Sequence, residues 1–344
     1  MVAHNRNSAT TEALIRIWQS VLDHSPILEE DNFFDMGGDP SRAVKLFDEI
    51  AKVFGQEIPT LAIYHAPTVA TLASVMQKPQ LPKFSPLVPL KAGGAEPPVF
   101  IAHGLAGSVM EFFWLAGKLQ TSHPIYGLQA IGTDGGDVPF ETIEDTAQFY
   151  LEAIQQRQPH GPYHLMGYSF GGLVALEMAQ RLLRAGEKIK LLVMLDAYPY
   201  KSFLTLKQRI GLVFRLLGHH ASILKRLPFR QAVGYALHSS ARAAYSSGKG
   251  AQNFVRAHYS DSIPEVLDRA YLALTKYQPR PYSGRVVFVE AAAKSVFPSN
   301  PAAVWTRWIK DFEAQTVPGD HFRMLSENFE SLASILSRVL RDAG

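Results

Sequence analysis

The chain of 344 residues contains no cysteine. That absence excludes a disulfide framework, a thiolate-held metal and a cysteine nucleophile. Long apolar runs are missing too. The longest, LLVML at residues 191–195 with its neighbours, is of buried-strand length and falls short of the ~18 residues that read as a membrane-crossing helix. Neither sign of charge dominates: the formal net charge is +3, so nothing global points to nucleic acid. The opening MVAHNRNSATTEALIRIW has neither the apolar core nor the small-residue cleavage site of a secretory signal, and a cytoplasmic location is expected. One absence is local. From Lys201 through Ser260 there is no Asp or Glu, against ten Lys and Arg.

The remaining composition is ordinary for a globular chain, 47% apolar and 19% charged. The length exceeds the usual single core, so two domains are expected. A boundary is visible in QKPQLPKFSPLVPLKAGGAEPP (77–98), rich in Pro with a Gly pair and no helical period. The organisation expected is a small domain over 1–78, a Pro-rich linker over 79–96 and a larger domain over 97–344.

The small domain patterns as three helices, an all-α bundle. TEALIRIWQSVLDH puts Leu14, Ile15, Trp18, Val21 and Leu22 on one face. SRAVKLFDEIAKVFG does the same with Val44, Phe47, Ile50 and Phe54, and Gly55 stops it. TVATLASVM is a shorter third helix. The stretch LEEDNFFDMGGDPSRAVKLFDEI, followed by IPTLAIYHAPTVATLA, resembles a peptidyl carrier domain of nonribosomal peptide synthetases. The resemblance implies covalent 4'-phosphopantetheine on a serine and a phosphopantetheinyl transferase as partner. Such domains place that serine directly after the Asp; here Pro40 stands there and Ser41 follows. Asp39 suits an N-cap and Pro40 the first helical position. Ser41 then lies in the first turn, where free N–H groups and the helix dipole favour a phosphodiester. A one-residue shift turns a helical side chain by about 100° and raises it about 1.5 Å. Two readings stand: Ser41 carries the arm, or the carrier has lost it.

The larger domain alternates strands (VFIA, IYGL, YHLMGY, LLVML) with helices (IEDTAQFYLEAIQQ, GGLVALEMAQRLLRAG). That alternation indicates a mainly parallel sheet covered on both faces. At one strand-to-helix junction stands GYSFGG, which fits G-x-S-x-G with Ser169 as nucleophile. A serine hydroxyl needs a base and a carboxylate to orient that base. His321, in VPGDHFRML between the last strand and the final helix, is the best-placed base. Asp196, ending the strand after the helix that follows Ser169, and Glu290, ending RVVFVE, compete as the acid; Asp320 is adjacent to His321 in sequence, and adjacent side chains usually point apart.

Residues 97–344, with HGLAGS, GPYHLMGYSFGGLVALEMA and GDHF, resemble the terminal type I thioesterase domain of peptide synthetases. The resemblance implies an α/β-hydrolase fold and selects Asp196. It also implies an oxyanion site made of backbone N–H groups from Phe170, next to the nucleophile, and from Leu105. The related loops read H-P-A-G-G, from which His103, Gly104, Leu105, Ala106 and Gly107 depart; His103 is expected to brace the loop. A helical lid is expected over about 200–280. Its basic face is read either as solvated surface or as a docking surface for an acidic carrier.

Together the two domains imply a serine thioesterase. It takes an acyl or peptidyl thioester from the carrier onto Ser169 and releases it by hydrolysis or cyclisation, fed by upstream synthetase or acyl-loading modules. No metal, nucleic-acid or transmembrane component is expected. The alternatives are a free-standing esterase or acyltransferase with a vestigial carrier, and a non-catalytic carrier-docking protein.

Overall fold

The computed structural model describes residues 2–78, 85–133, 137–200, 203–206, 208, 263–293, 298 and 300–343. The chain divides into two units, Met1–Pro89 and Leu90–Gly344.

In the first unit the helices are α1 (Val2–Leu22), α2 (Pro40–Phe54), α3 (Ala62–His65) and α4 (Val69–Met76). Leu14, Trp18, Phe33, Leu46 and Ile50 are fully buried, and the rings of Trp18 and Phe33 meet edge to face at 5.3 Å. Asp39 starts α2 by accepting the Arg42 N–H at 2.9 Å, Pro40 fills the first helical position, and Gly55 ends the helix in the left-handed region at φ 64°. Glycine enters that region without the steric cost of a Cβ. The buried face of α2 is Ala43, Leu46, Phe47 and Ile50. This corrects the face read from the sequence: Val44 is 48% exposed. The i, i+3, i+4, i+7 series begins at Ala43, so Phe47 and Ile50 are common to both faces while Val44, about 100° round from Ala43, points outward.

A seven-stranded sheet has the order β1-β3-β2-β4-β5-β6-β7, its first strand spanning the division at Pro89 and the other six belonging to the second unit. The strands are β1 (Leu87–Lys91), β2 (Val99–Ala102), β3 (Ile125–Leu128), β4 (Tyr163–Tyr168), β5 (Ile189–Leu195), β6 (Val286–Ala291) and β7 (Phe312–Val317). The pairings of β2 with β3, β2 with β4, β4 with β5, β5 with β6 and β6 with β7 are all parallel. The helices are α5 (Phe113–Lys118), α6 (Ile143–Arg157), α7 (Phe170–Arg184), α8 (Ile263–Lys276), α9 (Pro301–Trp305), α10 (Arg323–Ser326) and α11 (Phe329–Ala343), with a 3₁₀ turn at Val109–Phe112. Central strands read as unbroken apolar runs because both faces are covered; every residue of β2 and of β4 is buried.

Strand β1 falls inside the span 79–96 read as linker, which corrects that reading in part. Pro89 in its middle hid it. Proline lacks a ladder donor and is tolerated on an edge strand, and β1 is at the edge. Of the lid expected over about 200–280, residues 201, 202, 207 and 209–262, with the ten basic side chains of 201–260, lie outside the described residues. Its C-terminal part is α8, tied to the loop before α6 by Arg269 and Lys276, which both pair with Glu141.

Candidate active site

Strand β4 ends at Tyr168 and α7 begins at Phe170, so a single residue, Ser169, makes the turn. It does so at φ 54°, ψ −114°, a conformation that L-residues hold only when their surroundings enforce it. The Ser169 N–H is fixed to the Leu195 carbonyl at 2.8 Å. Two glycines leave the room. A Cβ on Gly167 would lie 2.0 Å from the Gly171 carbonyl oxygen, and one on Gly171 would lie 2.3 Å from the carbonyl oxygens of both Ala102 and His103.

The loop after β7 brings His321 to this turn. The Ser169 hydroxyl donates to His321 Nε2 at 3.1 Å, and His321 Nδ1–H donates to Asp196 Oδ2 at 2.9 Å. His321 and Asp196 are buried, at 6% and 1% exposure. Asp196 follows β5, the neighbour of β4, and is itself turned to φ 43°. Its N–H donates to the Val289 carbonyl at 2.8 Å, and its Oδ1 accepts from the Ala291 N–H at 3.3 Å. The competing carboxylates are placed otherwise. Glu290 accepts from the Thr316 hydroxyl at 3.3 Å, and Asp320 Oδ1 receives the N–H groups of Phe322 and Arg323 at the start of α10.

Sequence reasoning missed Tyr168, although it is the variable residue inside G-x-S-x-G. Its hydroxyl donates to the His321 carbonyl at 2.7 Å and its ring stacks on the imidazole, centroids 4.8 Å apart. It also missed Glu111. That residue stands within the 3₁₀ turn and accepts the Gly104 N–H at 2.6 Å; as a lone carboxylate in SVMEFF it carried no motif.

Phe170, as the first residue of α7, has a backbone N–H without an i−4 partner in its own helix. Leu105 lies in the turn after β2, which closes with the Gly107 N–H on the Gly104 carbonyl at 3.1 Å. His103 is wedged behind that turn. Its Nδ1 meets the Gly104 carbonyl at 2.5 Å and its Nε2 the Tyr150 hydroxyl at 2.7 Å, and the ring stacks on Phe170. Burial lowers the His103 pKa to about 4, so the ring is neutral near pH 7. Beside it opens an apolar pocket that includes Phe140, Phe149, Tyr150, Phe170, Val266 and Ala270.

In the other unit, Ser41 is exposed at the second position of α2. The neighbouring Arg42 folds back to donate to the Gly37 carbonyl at 2.6 Å. Among the described residues no group of three or more His, Asp or Glu side chains could hold a metal ion, and no helix is long and apolar enough to cross a membrane.

Residues 12–76 match the family model of the phosphopantetheine attachment site, and residues 97–219 match that of the thioesterase domain. The chain joins a carrier domain to a thioesterase domain. Similar proteins include a dimodular nonribosomal peptide synthase of Bacillus subtilis (strain 168), 38% identical over 57% of this chain and 8% of its own length. Indigoidine synthase of Dickeya dadantii (strain 3937) is 37% identical over 53% of this chain and 12% of its own. The chain thus spans about a tenth of the length of these relatives. Among solved structures, a four-domain nonribosomal peptide synthetase bound to AMP and glycine shares the fold over 96% of this chain and 26% of its own, with TM-score 0.58 and 23% identity. The NocB thioesterase domain from the nocardicin cluster does so over 72% of this chain and 95% of its own, with TM-score 0.51 and 22% identity. The carrier–thioesterase family pattern expected from the sequence stands, as does the α/β-hydrolase-like fold of its second part.

Proposed function

We propose that this chain is a serine thioesterase of α/β-hydrolase type that releases an acyl or peptidyl group from a carrier-bound thioester. The observation that carries it is the continuous line Ser169 Oγ, His321 Nε2, His321 Nδ1, Asp196 Oδ2 at 3.1 and 2.9 Å, set at the C-terminal ends of parallel strands. Ligands bind outside those ends in open α/β sheets.

His321 Nε2 takes the Ser169 proton as Oγ attacks the thioester carbonyl carbon, and Asp196 holds the ring in the tautomer that leaves Nε2 free. The charge on the carbonyl oxygen is received by the backbone N–H groups of Phe170 and Leu105; one such donor is worth about 10²–10³ in rate. The tetrahedral centre collapses, the C–S bond breaks and the proton on Nε2 passes to the leaving thiolate. Water, or an amine or hydroxyl within the acyl chain, then attacks the ester on Ser169 with His321 again as base, giving an acid or a ring.

Ser41 suits the attachment of phosphopantetheine: its hydroxyl is exposed, on the first turn of α2, where the helix N-terminus favours a phosphodiester. The bound group supplies a flexible thiol that holds the acyl chain as a thioester. A phosphopantetheinyl transferase is the partner that installs it, and upstream synthetase or acyl-loading modules supply the chain, in the cytoplasm. The functional spans proposed are 1–78 for the carrier, 79–96 for the connection and 97–344 for the thioesterase.

The test is to treat the protein with an acyl-coenzyme A and a broad-specificity transferase, then follow the intact mass with time. The acyl mass is added and then lost in the wild type, and persists in Ser169→Ala. Equal loss from both proteins would overturn the assignment of Ser169.

A further inference from the structure

The release chemistry above makes no use of Glu111. Its Oε1 accepts the N–H of Gly104 at 2.6 Å, and Gly104 is bonded to Leu105, one of the two proposed oxyanion donors. The other backbone group of Gly104, its carbonyl, is held by His103 Nδ1 and by the Gly107 N–H. The third side of Gly104 is closed by Tyr168: an added Cβ would meet that ring at 2.9 Å and Glu111 Oε1 at 3.2 Å. Glu111, Gly104 and Tyr168 are thus in one packed layer, and Tyr168 carries His321.

Among the described residues no Lys or Arg pairs with Glu111. The basic groups on the elements packed against its turn are engaged elsewhere: Arg323 with Asp320 and Glu327, Lys118 with Glu330. On the far side are the Tyr168 phenol, which Glu111, Asp196 and Asp320 all hold in its neutral form after burial itself, and the neutral His103. Burial pushes the Glu111 carboxyl up to about 7, against the stabilising Gly104 N–H.

We propose that Glu111 is a positioning residue for the thioesterase reaction: its ionised carboxylate clamps the Gly104 N–H and so aims the Leu105 N–H at the acyl oxygen. The proposal rests on Ser169 being the nucleophile. An ionised carboxylate only accepts, and its bond to an N–H is roughly twice as strong as a neutral one. Oxyanion donors act over a narrow range, about 2.7–3.1 Å from the charged oxygen, so a relaxed turn weakens catalysis and leaves ground-state binding alone. The same negative charge opposes the oxyanion, and two variants separate the effects. Glu111→Gln keeps an acceptor without charge; Glu111→Ala removes both.

Hydrolysis of the octanoyl thioester of N-acetylcysteamine is measured from pH 5.5 to 9, together with amide hydrogen exchange of the peptide 99–108. Glu111→Ala lowers kcat about tenfold with KM unchanged and speeds exchange of that peptide; Glu111→Gln falls between it and the wild type. As the pH falls below 7 the wild type loses this advantage, and the ratio of its kcat/KM to that of Glu111→Gln narrows towards one. Wild-type kcat in Glu111→Gln at every pH, or unaltered exchange in Glu111→Ala, overturns the proposal. A wild type that hydrolyses nothing and does not react with a fluorophosphonate at Ser169 sinks the thioesterase reading instead, and the exchange data still judge the clamp.

Discussion

The phenol of Tyr168 donates to the backbone carbonyl of His321 at 2.7 Å while its ring lies against the imidazole, 21° from parallel. Tyr168 therefore holds His321, the proposed base, from behind. Tyr168→Phe keeps the stack and loses the hydrogen bond, which is worth about 1 kcal/mol. The expected result is a three- to tenfold fall in kcat with KM little changed, measured on a soluble thioester. A changed KM with kcat intact would mean that the hydroxyl serves substrate binding.

Asp196 and Glu290 are distinguished by the same assay. Asp196→Asn leaves the shape and presents the wrong tautomer of His321, a change that costs about 10⁴ in kcat in a comparable triad. Glu290→Gln is expected to stay within about threefold of the wild type. The reverse order would move the acid to Glu290.

Acid should destabilise the thioesterase unit through its buried histidines. His164 is 3% exposed and neither of its ring nitrogens has a hydrogen-bond partner. Burial first, then His123 and Lys190, lower its pKa to about 4, and burial lowers that of His103 likewise. Between pH 6.5 and 4 the unfolded chain binds protons that the folded one refuses, so stability is present above 6.5 and lost as pH falls. Urea unfolding at pH 7 and pH 5 should show the loss. In His164→Leu the loss should shrink by on the order of 2 kcal/mol or less. An unchanged pH dependence would show that His164 does not titrate in this way.

The hydroxyl at the start of α2 can be moved. With coenzyme A and a phosphopantetheinyl transferase, the wild type should be modified on Ser41 and Ser41→Ala not at all, by peptide mass mapping. Pro40→Ser combined with Ser41→Ala restores a serine directly after Asp39 and should be labelled at least as fast. An unlabelled wild type beside a labelled double variant would identify a carrier that has lost its arm.

Much of the site was legible before the fold was. G-x-S-x-G between an apolar strand and a helix pointed to Ser169, and the place of VPGDHF between the last strand and the final helix pointed to His321; the structure brings the two within 3.1 Å. The choice between Asp196 and Glu290 was not local. Each follows or ends an apolar strand; the family resemblance selected Asp196, and in the structure it is Asp196 that His321 Nδ1 meets, at 2.9 Å. Glu111 meets the backbone N–H of Gly104 in the preceding loop and Tyr168 the carbonyl of His321 far along the chain, contacts that no spacing announces. Strand β1 was concealed by its proline. The buried face of α2 was misread by one residue, since Val44 is as apolar as the residues that are buried.

The order of the strands has a consequence for biosynthesis. Ser169 follows the central strand β4, while His321 comes 152 residues later, after β7 at the opposite edge of the sheet. In the proposed mechanism, a ribosome emits the attacking hydroxyl well before the imidazole that activates it. A nascent chain, or one cut short before residue 321, can therefore expose the nucleophile without its base. In that mechanism, synthesis of residue 321 is what arms Ser169.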